Sequence, residues 1–164
     1  MKKIYYGKAV YDQKEINAVL DVLKNKSLTL IDGENVKKLE RNVSKLFGKK
    51  YGLMVNSGSS ANLLALSSFN FKKGSEIITP SLTFSTTVAP IYQLGLIPHF
   101  IGVENNKFIA DIRQIESCIN KKTVAIMIPN LLGNIPEWKK IYKIAKKYNL
   151  KIIEDSADTI GYTL

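Results

Sequence analysis

Several short stretches of this sequence carry residue types suited to chemistry. Asn56-Ser57-Gly58-Ser59-Ser60 joins a glycine to a run of hydroxyl donors. Pro80-Ser81-Leu82-Thr83-Phe84 ends on an aromatic ring. Asn130-Leu131-Leu132-Gly133-Asn134 and Asp155-Ser156-Ala157-Asp158 each follow a strongly apolar run. A glycine–serine turn that leads into a helix aims free backbone N–H groups and a helix N-terminus at one spot, and that spot attracts an anion, most often a phosphate. Gly58 lets a ligand approach the backbone, and Ser59 and Ser60 add hydroxyl donors. A turn that only caps a helix has the same composition, so this stretch alone does not decide the matter. Taken singly, Phe84 also suits a core, Asp155 a helix N-cap and Asn130 a turn.

The placement of these stretches tells more. From residue 51 the pattern alternates. Strands are expected at 51–55, 76–79, 97–101, 123–128 and 151–154, with helices at 61–69, 85–94, 111–119 and 136–148 between them. Pro90 falls inside the second of these helices, where it sits in the first turn or bends the helix. Val124-Ala125-Ile126-Met127-Ile128 is wholly apolar and Lys151-Ile152-Ile153-Glu154 has an apolar centre, which is read as the mark of strands buried on both faces. The expected fold class is α/β: three layers, with a mostly parallel sheet and helices on both faces. In such a sheet, ligands bind beyond the carboxyl ends of the strands. Each of the stretches named above falls at that rim.

Upstream, residues 12–25 read as an amphipathic helix. Asp12 and Glu15 form a capping box, and Ile16, Val19, Leu20 and Leu23 form the apolar face. Residues 27–32 read as an extended linker. A second helix is expected over 35–47, opened by Gly33 and closed by Gly48, with Leu39, Val43 and Leu46 toward a core. The domains expected are an N-terminal helical segment, 1–48, and a cofactor-binding large domain, 49–164, that is only part of a larger unit.

A phosphate cradle, an aromatic ring and a carboxylate on one rim suit a flat, phosphorylated, nitrogen-containing ring, and pyridoxal phosphate is such a ligand. Its phosphate would sit on Gly58 and Ser59, and Phe84 would lie over the ring. Asp155 would pair with the ring nitrogen and keep it protonated. The sequence has neither G-x-G-x-x-G for a dinucleotide nor G-x-x-x-x-G-K-[ST] for a nucleoside triphosphate.

Composition narrows the class. The chain has 164 residues, 45% of them hydrophobic, and a formal charge of +10. Its lysines are scattered in pairs such as Lys37-Lys38, Lys72-Lys73 and Lys146-Lys147, as on a solvated surface; no nucleic-acid-binding module accompanies them. Cys118 is the only cysteine, too few for an intrachain disulfide or a cysteine-bound metal. His99 is the only histidine and reads as a local packing or surface residue. No metal site, nucleic-acid partner or membrane span is expected, and the N-terminal residues lack the apolar stretch of a signal peptide. A cytoplasmic protein is expected. A non-catalytic phosphate- or nucleotide-binding α/β domain is the alternative to an enzyme.

Val55-Asn56-Ser57-Gly58-Ser59-Ser60-Ala61-Asn62, Thr79-Pro80-Ser81-Leu82-Thr83-Phe84 and the run from Ile153 through Asp155 and Asp158 to Gly161 resemble the sugar aminotransferase family of the DegT/StrS type. Gly33-Glu34-Asn35-Val36-Lys37-Lys38-Leu39-Glu40 looks like that family's first motif. The resemblance implies the large domain of a fold-type I aminotransferase. It also implies a homodimer with the active site at the subunit interface, pyridoxal or pyridoxamine 5'-phosphate as cofactor, and as substrates a nucleotide-linked keto-sugar and an amino donor. Products of that family go into surface polysaccharides and antibiotics. By the same resemblance Gly58 and Ser59 hold the cofactor phosphate, Phe84 stacks on the ring and Asp155 contacts the ring nitrogen. Many of the family's aminotransferases carry Gln or His three residues after that Asp, on the cofactor's ring hydroxyl. Here the residue is Asp158, as in the branch of 3-dehydratases acting on 4-keto-6-deoxy sugars. The residue separating the branches, a cofactor-bearing lysine or the histidine that replaces it, falls beyond Leu164 in the family. The chain is therefore expected to be part of a longer enzyme and inactive alone.

Overall fold

A computed structural model describes residues 3–5, 7–26, 30–31 and 33–160. Most of the expected 27–32 linker and the Gly161 end of the last motif lie outside the described residues. Contacts divide the chain into two compact units, Met1–Met54 and Val55–Leu164.

In the first unit, α1 spans Gln13–Asp21 and continues as a π-helical turn, Val22–Lys26. Its N-terminus carries the expected capping box: Asp12 accepts from the Lys14 backbone N–H, and Glu15 accepts from the Asp12 N–H at 2.7 Å. Helix α2, Glu34–Leu46, starts from Gly33 and leads into Gly48 at φ +60°. The apolar face expected on α1 has the right periodicity but forms no core in this unit, with Val19 59% exposed and Leu23 55%. On α2, Leu39 and Leu46 are likewise exposed, and the only residue buried there is Ser44. Gly52 is held by close approach: a side chain there would meet the Glu40 carbonyl oxygen at 2.6 Å.

The second unit is a three-layer α/β domain. Its strands are β1 (Glu76–Pro80), β2 (Ile97–Ile101), β3 (Thr123–Pro129) and β4 (Lys151–Asp155). They form one parallel sheet in the order β2-β1-β3-β4. Side chains alternate across it. Ile77, Ala125, Met127 and Ile153 face Leu66 and Ile91, which come from α3 (Gly58–Ser67) and α4 (Ser85–Gln93). Ile78, Ile126 and Ile128 face the opposite layer, with Ile115 of α5 (Ile115–Cys118) and Trp138 and Ile141 of α6 (Trp138–Lys147). Burial on both faces is why the central strands, β1 and β3, read as apolar runs rather than alternating ones, while the edge strands β2 and β4 are partly exposed. The strand order reverses between β1 and β3, which puts the crevice typical of ligand sites at their carboxyl ends.

Three expectations are corrected. Residues 51–55 are no strand: among the described residues nothing pairs with them, and Tyr51 and Leu53 are each 77% exposed. An apolar run supplies the side chains of a strand but not the neighbour it must bond. The helix expected at 111–119 is a 3-10 turn, Ile112–Gln114, followed by the single turn of α5. Helix α3 starts at Gly58, three residues before the expected start, because Ser57 caps it by accepting from the Ser60 N–H at 3.1 Å.

Candidate functional site

The first turn of α3 contains Gly58 and Ser59. The Ser57 cap and its carbonyl take up the N–H groups of Ser60 and Ala61. Those of Gly58 and Ser59 have no partner among the described residues, as expected of the first positions of a helix. Gly58 does not need its glycine for backbone conformation, since it is not among the residues of positive φ. A Cβ there would meet nothing closer than the Ala157 Cβ, at 4.0 Å. The missing side chain thus leaves clear space over the free N–H groups, and the turn after β4 borders that space.

Phe84 immediately precedes α4, at the end of the segment that leaves β1. It is 64% exposed, so the core role weighed for it does not hold. The ring stands free at the rim.

Asp155 ends β4 and caps no helix; its Oδ1 accepts from the Ala157 N–H at 3.2 Å. Its Oδ2 accepts two bonds of 2.8 Å, from Asn62 Nδ2 on α3 and Thr87 Oγ1 on α4. Asn62 also donates to the Thr86 carbonyl at 3.2 Å. That carbonyl faces Pro90, which lies mid-helix rather than in the first turn and has no N–H to give it. Sequence reasoning missed Asn62 and Thr87 as partners of Asp155. The available signal was a polar residue at a core-facing helical position, together with the carbonyl that a helical proline leaves free.

Asp158 is exposed, and its Oδ2 accepts from the Leu132 N–H at 2.8 Å. Leu132 needs that support, since it sits in the left-handed region at φ 53° and ψ 30°. Asn130, expected as a turn residue, is a buried hub. Its amide donates to Glu154, Ser156 and Thr159, and its Oδ1 accepts from Trp138 Nε1 at 2.8 Å. Asn130 thereby ties the end of β3 to α6 and to the turn that carries Asp158. His99 lies midway along the edge strand β2, with its Nδ1 3.3 Å from Oε2 of Glu76 at the start of β1, in the local role expected of it. Bonds from Asn120, then His99, hold the Glu76 carboxyl below its usual range.

The structure thus gathers Gly58, Ser59 and Asp155 at the ends of α3 and β4, with Phe84 at the carboxyl rim and Asp158 on the same turn as Asp155. A separate cleft of about 590 Å³ is lined by Glu104, Lys107, Asp111, Arg113, Glu137 and Lys140, among others, and by none of the residues above. Its cations are each bonded to an acid, Lys107 to Glu104, Arg113 to Asp111 and Lys140 to Glu137, so it offers no uncommitted charge.

A parallel sheet with an open helix N-terminus and a fixed carboxylate at its carboxyl rim has the architecture of a ligand-binding α/β domain. Residues 10–164 match the DegT/DnrJ/EryC1/StrS aminotransferase family, and the chain belongs to it. It is 36% identical over 162 residues to the GDP-4-keto-6-deoxy-D-mannose 3-dehydratase of Yersinia pseudotuberculosis, covering 95% of this chain and 41% of that protein. It is 34% identical over 149 residues to the dTDP-3-amino-3,6-dideoxy-alpha-D-galactopyranose transaminase of Aneurinibacillus thermoaerophilus, covering 91% of this chain and 41% of that protein. Among solved structures, a GDP-4-keto-6-deoxymannose-3-dehydratase with a trapped PLP-glutamate geminal diamine superposes with a TM-score of 0.90 at 36% identity, covering 99% of this chain and 43% of that one. The chain therefore spans about two fifths of the length of these relatives.

Proposed function

We propose that this chain is the cofactor-holding part of a pyridoxal- or pyridoxamine-phosphate enzyme that acts on a nucleotide-linked keto-sugar, removing a hydroxyl or transferring an amino group. The observation that carries this reading is the Asp155 carboxylate, bonded by Asn62 and Thr87 beside the open N-terminus of α3. The residues present fit the cofactor: uncommitted N–H groups for a phosphate dianion, a free aromatic face, and an acceptor for a ring N–H. When bound, that cofactor supplies an electron sink for carbanions at the substrate.

The chain's own residues have separate tasks. Gly58 and Ser59 bind the phosphate and fix the ring's position, and Phe84 covers one ring face against water. Asp155 holds a proton on the ring nitrogen, with its orientation set before the ligand arrives. Asp158 has one oxygen on Leu132 and the other turned to no described partner, so that it would be available to the cofactor's ring hydroxyl. Asp158 and the likeness to 3-dehydratases favour deoxygenation over amino transfer. We place the enzyme in the cytoplasm, as a homodimer in surface-polysaccharide sugar synthesis, with an amino donor as second substrate.

The test is Asp155→Asn in the full-length enzyme. The phosphate and ring contacts remain, so saturating pyridoxal phosphate still fills the site even though uptake is weaker. The formal charge that holds the ring-nitrogen proton is lost, so turnover falls by at least about a hundredfold. Near-parental turnover at full occupancy removes Asp155 from the mechanism. A parent protein that takes up no pyridoxal phosphate removes the reading itself.

A further inference from the structure

Asp155 is held by side chains from two different helices, and neither serves its own helix. Asn62 is 8% exposed and Thr87 is fully buried. Asn and Thr are indifferent helix formers, and burying their polar groups is unfavourable unless they find partners. Both spend a hydrogen on Asp155 Oδ2, at 2.8 Å each. The orientation of the Asn62 amide is fixed as well. Its Nδ2 faces the Asp155 carboxylate and the Thr86 carbonyl, which only accept, so a flipped amide would set oxygen against two oxygens. The Thr86 carbonyl is available because Pro90, four residues on, has no N–H.

We propose that Asn62 and Thr87 are positioning residues for Asp155, holding its carboxylate in one orientation at the carboxyl rim, and that Pro90 contributes by freeing the carbonyl that locks Asn62. The proposal rests on the role given to Asp155 above. It differs from simple bracing of the fold in what it requires: the hydroxyl of Thr87 and the amide of Asn62 matter for the ligand, beyond their shapes.

Thr87→Val keeps the shape and removes the hydroxyl, Thr87→Ser keeps the hydroxyl, and Asn62→Leu keeps the size and removes the donors. In the full-length protein each variant is titrated with pyridoxal phosphate, and the absorption spectrum of the bound cofactor is followed across pH. Loss of one hydrogen bond to an ion weakens uptake by about tenfold in Thr87→Val and Asn62→Leu. The pH at which the bound cofactor's spectrum changes also moves, and Thr87→Ser restores both readouts. Parental affinity and spectra in both Thr87→Val and Asn62→Leu overturn the proposal, as does a loss that Thr87→Ser fails to restore. A second measurement needs no cofactor: the side-chain amide protons of Asn62 exchange slowly in the parent and fast in Asp155→Ala, while the backbone amides of β3 stay protected. Unchanged Asn62 exchange overturns the positioning role even if the parent binds no pyridoxal phosphate, an outcome that by itself overturns only the functional reading.

Discussion

Gly58 has no conformational need to be glycine, and the space where its side chain would lie is open. Its role is therefore toward a ligand. Gly58→Val leaves the fold intact, with a melting temperature within a few degrees of the parent. It also places a branched side chain over the N–H groups of α3, and pyridoxal phosphate affinity drops by at least about tenfold. A titration identical to the parent's would move the phosphate elsewhere. Asp111 gives a residue-scale prediction of a different kind. Arg113 grips its carboxylate through Nε and Nη2, both at 2.8 Å, and Gln114 adds a bond at 3.1 Å. The Arg113 contact holds the Asp111 carboxyl well below its usual value of 3.8. A group whose pKa is lower folded than unfolded adds stability above the unfolded value, and that stability is lost as pH falls through the folded one. Acid unfolding should therefore steepen below the ordinary aspartate range, and Asp111→Asn should flatten that limb while lowering stability at neutral pH. Urea unfolding at a series of pH values measures both.

At the scale of elements, β3 is the spine of the second unit, and Asn130 fastens its end. Asn130→Ala leaves the indole N–H of buried Trp138 without its acceptor and frees the turn after β4. The cost is about 1–3 kcal/mol for the orphaned donor, read as a shift in the urea midpoint with the slope unchanged. This scale also shows what the sequence made legible. The four strands and α4 and α6 lie within a residue or two of their expected bounds, because each is an apolar pattern bounded by turn residues. Residues 51–55 have the same apolar pattern yet form no strand, since pairing depends on a neighbour that a local pattern does not reveal. The site divides in the same way. Gly58, Ser59, Phe84 and Asp155 stood out by type and by position at the rim. Asn62, Thr87 and Asn130 look like ordinary helix and turn residues, and their roles emerge only from bonds spanning up to 93 positions of sequence.

For the molecule as a whole, apolar surface and unpaired backbone matter most. Among the described residues β4 bonds only to β3, which leaves one edge of a parallel strand open. The apolar faces of α1 and α2 and the side chains of Tyr51 and Leu53 are exposed as well. A polypeptide of these 164 residues, made alone, is expected to self-associate through such surfaces and to show no turnover. Light scattering behind a sizing column checks the first expectation, and a monodisperse monomer contradicts it. An assay with keto-sugar, amino donor and pyridoxal phosphate checks the second.

Leu132 holds a left-handed backbone whose N–H rests on Asp158. This has a historical consequence for the lineage. A replacement of Asp158 that cannot accept at that point leaves the Leu132 N–H without its partner, while the 131–133 turn keeps its bonds to the Asn130 and Leu131 carbonyls. The smoothest route passes first through Leu132→Gly, which takes up that backbone unaided and releases Asp158 to change. The two positions should therefore have been exchanged together, glycine at one accompanying a residue that cannot accept there at the other, wherever a descendant of this chain has changed its chemistry.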